Sequence, residues 1–454
     1  MKKINPEELI ATSKFNRFHL QLIFWGFIII LFDGYDLVVY GTVVPVLIEE
    51  WNLSSVEAGA MGSYGLFGMV FGAIVLGMLA DRFGRKNIMI LSVFLFSFFT
   101  MLCGFTDNPT SFSIFRFLAG LGLGGVMPNV IALSTEYAPS RIRNIVVSIV
   151  LVSYSVGGML APLFGITLMP SLGWEVVFWI AGIPLLLIPF IYKKMPESSS
   201  YLIRKGRDKD LIRILSKVNP AVQLPKHVEF SNDDHLKTKV PFVGLFQNKR
   251  AMSTILFWTT YFMSLLMVYG LNTWLPNLMI EAGYGLNSSL AFLMVLQGGS
   301  IIGTILIARL SMKYDFRIML ALLYAIGGIA ITLLGFGGNS MYIYLLVGIA
   351  GASSIGAQHL IQAYVSQYYP PAIRSTALGI CSGIGRFGGM LGPMLGGFLL
   401  TTSLPVYMYF LAYAIPGLIA AIALSIVPGN RAYGKNDADF KDNELLELEG
   451  RIIQ

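Results

Sequence analysis

An all-α membrane protein of twelve transmembrane helices, in two pseudo-symmetric six-helix halves, is the fold class predicted for this 454-residue chain. Three observations predict it. Apolar residues make up 55% of the chain and charged residues only 13%, about half the charged share of an ordinary soluble protein, and the mean hydropathy is +0.69. The apolar residues gather into runs of about 20 or more, the length that crosses a bilayer. The chain also repeats itself at an offset of 231 residues.

Taken in order, the runs lie at residues 20–48, 57–80, 88–106, 110–135, 144–169, 174–192, 251–280, 286–308, 318–337, 341–366, 374–401 and 404–427. A β-barrel would show shorter, alternating segments. The first run is too long for a secretory leader, carries Asp33 and Asp36 and lacks a small-residue cleavage site, so it reads as the first span. Residues 1–192 form the first half, 193–250 a central loop, 251–427 the second half and 428–454 a tail. Within the tail, Asp437–Glu449 mixes charges with Leu445, Leu446 and Leu448, the pattern of a solvated helix. Cys103 and Cys381 fall inside predicted spans and read as two buried thiols without a disulfide.

The positive charges set the orientation. Of 32 Lys and Arg, 30 fall in the N-terminal tail, the segments after spans 2, 4, 8 and 10, the central loop and the C-terminal tail. The opposite loops carry Glu49, Glu50, Glu57, Asp107, Glu175 and Glu281 and no base. By the positive-inside rule both termini and the central loop are expected to be cytoplasmic, which requires an even number of spans. The pI of 9.2 thus reflects membrane orientation rather than nucleic-acid binding.

The repeat aligns Thr42, Pro45 and Leu47 with Thr273, Pro276 and Leu278, and Gly68 and Gly72 with Gly299 and Gly303. It aligns Tyr137, Pro139, Ile142 and Arg143 with Tyr368, Pro370, Ile373 and Arg374, and Gly157–Leu160 with Gly388–Leu391. Two halves related about an axis along the membrane normal are what an alternating-access carrier is built from. The embedded ionisable groups have no such counterparts. Asp33 aligns with Ser264, Asp36 with Met267, Arg116 with Val347, Arg386 with Ser155 and His359 with Pro128. Packing in the other half works without them, which points to function.

Asp33 and Asp36 lie three apart and share a helical face. Two neighbouring carboxylates in hydrocarbon repel, and a proton held on one relieves the repulsion, which is what proton coupling requires. Pairing with a base elsewhere is the plainer reading. Tyr35 between them either lines a cavity or packs. Arg386 lies twelve residues beyond Arg374, about 18 Å along a helix and near mid-membrane. A guanidinium there can take a substrate carboxylate through two parallel hydrogen bonds, or form a permanent ion pair. Arg116 stands between proton transfer and a local stabilising pair. His359 can relay a proton or bond a ring hydroxyl, and Gln358 and Asn272 can contact substrate or join helices. At the cytoplasmic ends, Asp81, Arg82, Arg85, Lys86, Glu136 and Arg143 suit a breakable charge network that gates, although orientation alone would also explain the bases. No P-loop, metal-ligand cluster or Ser-His-Asp spacing appears, so no cofactor, metal or enzymatic activity is expected.

The stretch Gly77-Met-Leu-Ala-Asp81-Arg82-Phe-Gly84-Arg85-Lys86 resembles the loop 2–3 signature of the major facilitator superfamily. Arg116-Phe-Leu-Ala-Gly120-Leu-Gly122 resembles its helix 4 motif, and Met195-Pro-Glu-Ser198 another of its recurrent phrases. The copy at Ala308–Arg317 keeps charges but lacks the glycine. Ala161-Pro162-Leu-Phe-Gly165 only partly matches the helix 5 Gly-Pro motif of proton antiporters, while Gly392-Pro393 in span 11 does match. Within the superfamily, Asp33-Gly-Tyr-Asp36, Gly122–Asn129, Ser134–Pro139, Trp274-Leu-Pro276 and Gly385-Arg386-Phe-Gly388 resemble the aromatic acid:proton symporter family. That resemblance implies a monomeric carrier in a bacterial inner membrane that moves a small aromatic carboxylate with protons. It ties Arg116 to proton transfer. A sugar or dicarboxylate porter and a proton-driven efflux pump are the alternatives. A membrane sensor is a further one, although it would need no aspartate pair and would carry a signalling domain larger than either the loop or the tail.

Overall fold

The computed structural model describes residues 3–220, 229–230, 242–310 and 313–433. Twelve long helices run through them: α1 Arg17–Glu50, α2 Ser55–Phe83, α3 Arg85–Cys103, α4 Pro109–Glu136, α5 Arg143–Leu172, α6 Glu175–Lys194, α7 Ala251–Glu281, α8 Leu286–Leu310, α9 Phe316–Leu334, α10 Ser340–Tyr368, α11 Pro371–Leu400 and α12 Val406–Ile426. Each matches one predicted run, and no end differs by more than three residues. The protein is a multi-pass membrane protein. The solvated helix expected at Asp437–Glu449 lies outside the described residues.

The helices start where the sequence supplies caps. Asn16 with His19 and Ser54 with Glu57 form reciprocal capping boxes on α1 and α2. Asn108 caps α4 ahead of Pro109, and Asp315 and Asn339 cap α9 and α10. Gly84 alone joins α2 to α3, at φ +95°, a backbone shape that only glycine adopts without strain. The described part of the central loop holds two short helices, Ser199–Arg204 and Asp208–Val218. The second is tied to the N-terminal segment: Asn16 Nδ2 donates to the Lys217 and Val218 carbonyls, both at 3.0 Å. Lys3–Ile4 pairs in parallel with Glu229–Phe230.

The chain divides into two compact units, Met1–Asp234 with Asn272–Gln297 and Pro393–Thr402, and His235–Leu271 with Gly298–Gly392 and Ser403–Gln454. Inside each, helices meet backbone to backbone at small residues, because lipid supplies no hydrophobic drive between helices and close packing must do the work. The 231-residue repeat recurs in several of these contacts. A side-chain carbon on Gly68 would collide with the Phe117 carbonyl, and one on Gly299 with that of Gly348. Gly157 abuts the Leu31 carbonyl as Gly388 abuts that of Phe262. Even the exit from each half is matched: the Tyr137 hydroxyl donates to the Glu197 carbonyl, and the Tyr368 hydroxyl to that of Pro428. Outward-facing positions stay apolar, as Met78, Leu186, Met341 and Phe398 show, the surface a bilayer solvates.

Candidate functional site

In the first unit, Asp36 on α1 and Arg116 on α4 are joined by a buried ion pair, Nη1 to Oδ1 at 3.0 Å. Gly65 of α2 lies beside the guanidinium, where a Cβ would meet Nη2 in ordinary van der Waals contact at 3.4 Å. The Thr100 hydroxyl of α3 donates to the same Oδ1. Asp36 Oδ2 and Arg116 Nε have no hydrogen-bond partner among the described residues. One carboxylate oxygen thus carries two donors and the other none, an asymmetric arrangement. Tyr40 lies under the guanidinium, 6.0 Å from ring centroid to Cζ, a distance at which its π face still favours the cation. Asp33, one turn earlier, is buried as well. Tyr35 is fully buried with its hydroxyl donated to the Val177 carbonyl at 2.7 Å, so of the two roles considered for it the packing one matches its geometry.

Arg386, His359 and Gln358 belong to the second unit. Arg386 is half-buried on α11. Gly385 and Gly388 on either side of it press against the Tyr261 and Phe262 backbone of α7, and Phe387 points outward at 54% exposure. That clamps the rotation of α11 and holds Arg386 on the flank between those faces. The helix carrying His359 and Gln358 is widened by a π-helical turn at Ala352–Gly356 just before them, a distortion that clusters at functional sites. His359 Nδ1 lies 3.4 Å from the Thr304 hydroxyl. Gln358 is buried, and its Oε1 accepts no hydrogen bond among the described residues. Such an acceptor costs about 1–3 kcal/mol unless a donor reaches it. Asn272, on α7, is buried in the first unit, its carbonyl packed against Gly41.

The charges at the end of α4, the start of α3 and the segment after α6 form a clasp rather than a pair. Glu136 Oε2 meets Arg85 Nη1 at 3.1 Å, and Oε1 accepts from the Ser198 hydroxyl at 3.0 Å, the Ser199 hydroxyl at 2.5 Å and the Ser200 amide at 3.1 Å. Glu197 accepts from the Lys86 and Ser198 amides. Burial pushes the Glu197 carboxyl above the usual carboxylate range, and the two amides and the Lys86 charge offset part of that. Arg204 reaches the Asp81 carbonyl at 3.3 Å, while the Asp81, Arg82 and Arg143 side chains are exposed. The second half has Phe316 and Gln367 where the first has Arg85 and Glu136, so this clasp is confined to one half. Glu136→Gln cannot serve both Arg85 and the serines and is expected to cost about 1–3 kcal/mol. Glu197→Gln keeps an accepting oxygen and removes the charge that burial disfavours, so it is expected to cost less. Thermal unfolding of the two purified variants decides; a larger loss in Glu197→Gln would contradict this ranking.

A model of the major facilitator superfamily matches residues 26–361 and 299–450. The chain belongs to the major facilitator superfamily. Among superfamily relatives, it is 44% identical to a benzoate transport protein of Acinetobacter baylyi, over 95% of this chain and 94% of that one. It is 36% identical to a gentisate transporter of Corynebacterium glutamicum, over 90% and 87% of the two chains. A partially occluded, inward-open structure of the E. coli xylose transporter superposes with a TM-score of 0.73 over 91% of this chain and 98% of that one, at 18% identity, and shares the superfamily fold.

Five participants are not marked out by the sequence pattern: Thr100, Glu197, Ser198, Ser199 and Ser200. Thr100 sits among Phe98, Phe99 and Met101 with nothing to mark its hydroxyl as a donor to Asp36. Glu197 and Ser198 stand in the sequence only as part of a superfamily phrase, and Ser199 and Ser200 only as loop. A run of three serines following an acid at a helix exit is the local signal that could have drawn attention to them.

Proposed function

We propose that this chain imports a ring carboxylic acid, benzoate or a hydroxylated relative, together with protons by alternating access across a bacterial inner membrane, as a monomer. The observation that carries this reading is the near full-length likeness to a benzoate transport protein and to carriers of hydroxylated ring acids. In this reading Arg386 holds the carboxylate through its two-pronged guanidinium. The Gln358 amide oxygen and His359 read ring substituents. Asp36, with Asp33, carries the proton, and Arg116 supplies the counter-charge against which its carboxylate forms. The clasp of Arg85, Lys86 and Glu136, with Asp81, Arg82 and Arg143 beside it, holds the cytoplasmic helix ends together and gates.

The test is uptake of labelled benzoate into membrane vesicles under an imposed proton gradient, with a panel of unlabelled ring acids, sugars and dicarboxylates as competitors. Ring acids are expected to compete, sugars and dicarboxylates to fail, and a protonophore to collapse accumulation. Competition by a sugar or dicarboxylate alone would move the chain to another substrate class. Both termini and the central loop are proposed to be cytoplasmic. A reporter enzyme active only outside the cell, fused after Gly206, is expected to be silent, and activity there would reverse the orientation.

A further inference from the structure

The two halves differ in charge at matching places. In the first, the clasp sets two bases, Arg85 and Lys86, against two acids, Glu136 and Glu197. At the 231-residue offset Glu136 is matched by Gln367, Glu197 by Pro428 and Lys86 by Arg317, while His19 and Ser200 are matched by Arg250 and Arg431. One contact follows the same offset: the Tyr137 hydroxyl donates to the Glu197 carbonyl, and the Tyr368 hydroxyl to that of Pro428. The second half lacks both acids and carries two further arginines.

These arginines converge on the short segment that follows α12. Arg317 Nη1 donates to the Val427 carbonyl at 2.5 Å, Arg250 Nε to that of Arg431 at 3.3 Å, and Arg431 Nη1 to that of Lys249 at 2.6 Å. The Tyr368 hydroxyl, 2.9 Å from the Pro428 carbonyl, lies within electrostatic reach of all three guanidiniums. Each of these acceptors is a neutral carbonyl. Arg317 and Arg431 form no ion pair among the described residues. Each uses one N–H on a carbonyl and keeps the rest, and Arg317 Nε is buried with no partner among the described residues. Asp315, two residues from Arg317, is exposed and caps α9 through the Arg317 and Ile318 amides. Arg250 is 1% exposed. Guanidiniums gathered away from water repel one another, and carbonyl partners cancel none of that charge.

We propose that Arg317 and Arg431, with Arg250 beside them, form a binding site for a phosphate group at this end of the second half. The planar guanidinium matches phosphate oxygens through paired hydrogen bonds. The phosphate supplies the negative charge that Glu136 and Glu197 supply in the first half, so a ligand completes the second clasp. Its source is the head group of an anionic phospholipid or free phosphate. The site does not depend on which solute the protein carries, and binding is measured without transport, so failure here leaves the transport reading standing.

The test is thermal unfolding of the full-length protein in detergent, in inorganic phosphate against chloride at equal ionic strength. Native mass spectrometry with phosphatidylglycerol and phosphatidylcholine of matched chains runs beside it. A saturable upward shift in phosphate alone assigns the site to free phosphate, and preferential retention of the glycerol lipid assigns it to a head group. Arg431→Gln and Arg317→Lys are each expected to weaken the responding ligand about tenfold, the loss of one charge-assisted hydrogen bond. Both side chains also hold carbonyls, so the readout is the ligand-dependent change and not the unfolding midpoint. A purely structural arginine would lower the midpoint and leave that change intact. Lys209→Gln, at an exposed base of the first unit, is expected to respond as wild type does. Wild type with neither response overturns the proposal, as do unchanged responses in both arginine variants or an equal loss in Lys209→Gln. A response that emerges only when Asp437, Asp439 and Asp442 are changed to Asn also overturns it, and makes the acidic tail the occupant.

Discussion

Asp36→Asn is expected to abolish uphill accumulation of substrate, leaving the internal level no higher than a protonophore allows, while exchange of internal for external substrate persists. The geometry gives the reason. Oδ1 of Asp36 accepts from Thr100 and Arg116, and Oδ2 accepts nothing among the described residues. Asparagine can keep the Thr100 bond and fill nearly the same volume, so the helices need not move. What it removes is the titratable oxygen and the charge facing Arg116. Leaving one member of a buried pair uncompensated costs about 3–5 kcal/mol, so abundance will fall too. Accumulation must therefore be normalised to the amount of protein in the membrane. A purely structural pair would leave the surviving molecules with the wild-type accumulation ratio, whereas a coupling carboxylate would leave none. Asp33→Asn is expected to show the same loss if the two acids share the task. Full accumulation by either asparagine variant removes that carboxylate from the obligatory coupling step.

Long apolar runs made the twelve helices legible, because burying unsatisfied backbone in lipid is so costly that spans must be continuous. The repeat was legible for a related reason. Gly68 and Gly299, or Gly157 and Gly388, tolerate no side chain where two backbones meet, so the same residues recur at the same offset. The embedded charges stood out because hydrocarbon makes them rare. Their partners were not legible. Nothing in the sequence tells Arg116 to reach across 80 residues to Asp36 rather than toward Asp33, since both acids share a helical face and only the positions of α1, α3 and α4 choose between them. Arg85 and Glu136 stood out in the sequence as charges at helix ends, and the structure joins them, but their neighbours did not stand out. The second oxygen of Glu136 is satisfied by Ser198, Ser199 and Ser200, whose only local signal is their run of three after Glu197, and that run does not say which acid they serve.

Arg386 is where the largest effect on substrate recognition is expected. Arg386→Ala should eliminate uptake, and Arg386→Lys should weaken apparent affinity for a ring acid by roughly tenfold, the loss of one charge-assisted hydrogen bond of about 1.5 kcal/mol. A lysine keeps the positive charge but offers a single ammonium in place of the planar fork, so it can neutralise a carboxylate without fixing its plane. The surroundings of Arg386 make that plane matter. Gly385 and Gly388 lock α11 against the α7 backbone and leave the helix little freedom to turn and bring a shorter group into line. A charge at this depth is tolerated only with a partner or a wet cavity. A scaffold ion pair would predict a different pattern, in which Arg386→Lys keeps wild-type affinity and Arg386→Ala chiefly lowers abundance. The second half of the test is chemical and leaves the protein untouched. The neutral amide of the preferred ring acid has nearly the same shape but no negative charge, and it should compete poorly against wild type. Wild-type affinity in Arg386→Lys together with equal competition by the amide would assign Arg386 to the scaffold, and the anion site would then have to be sought around Arg116 and His359.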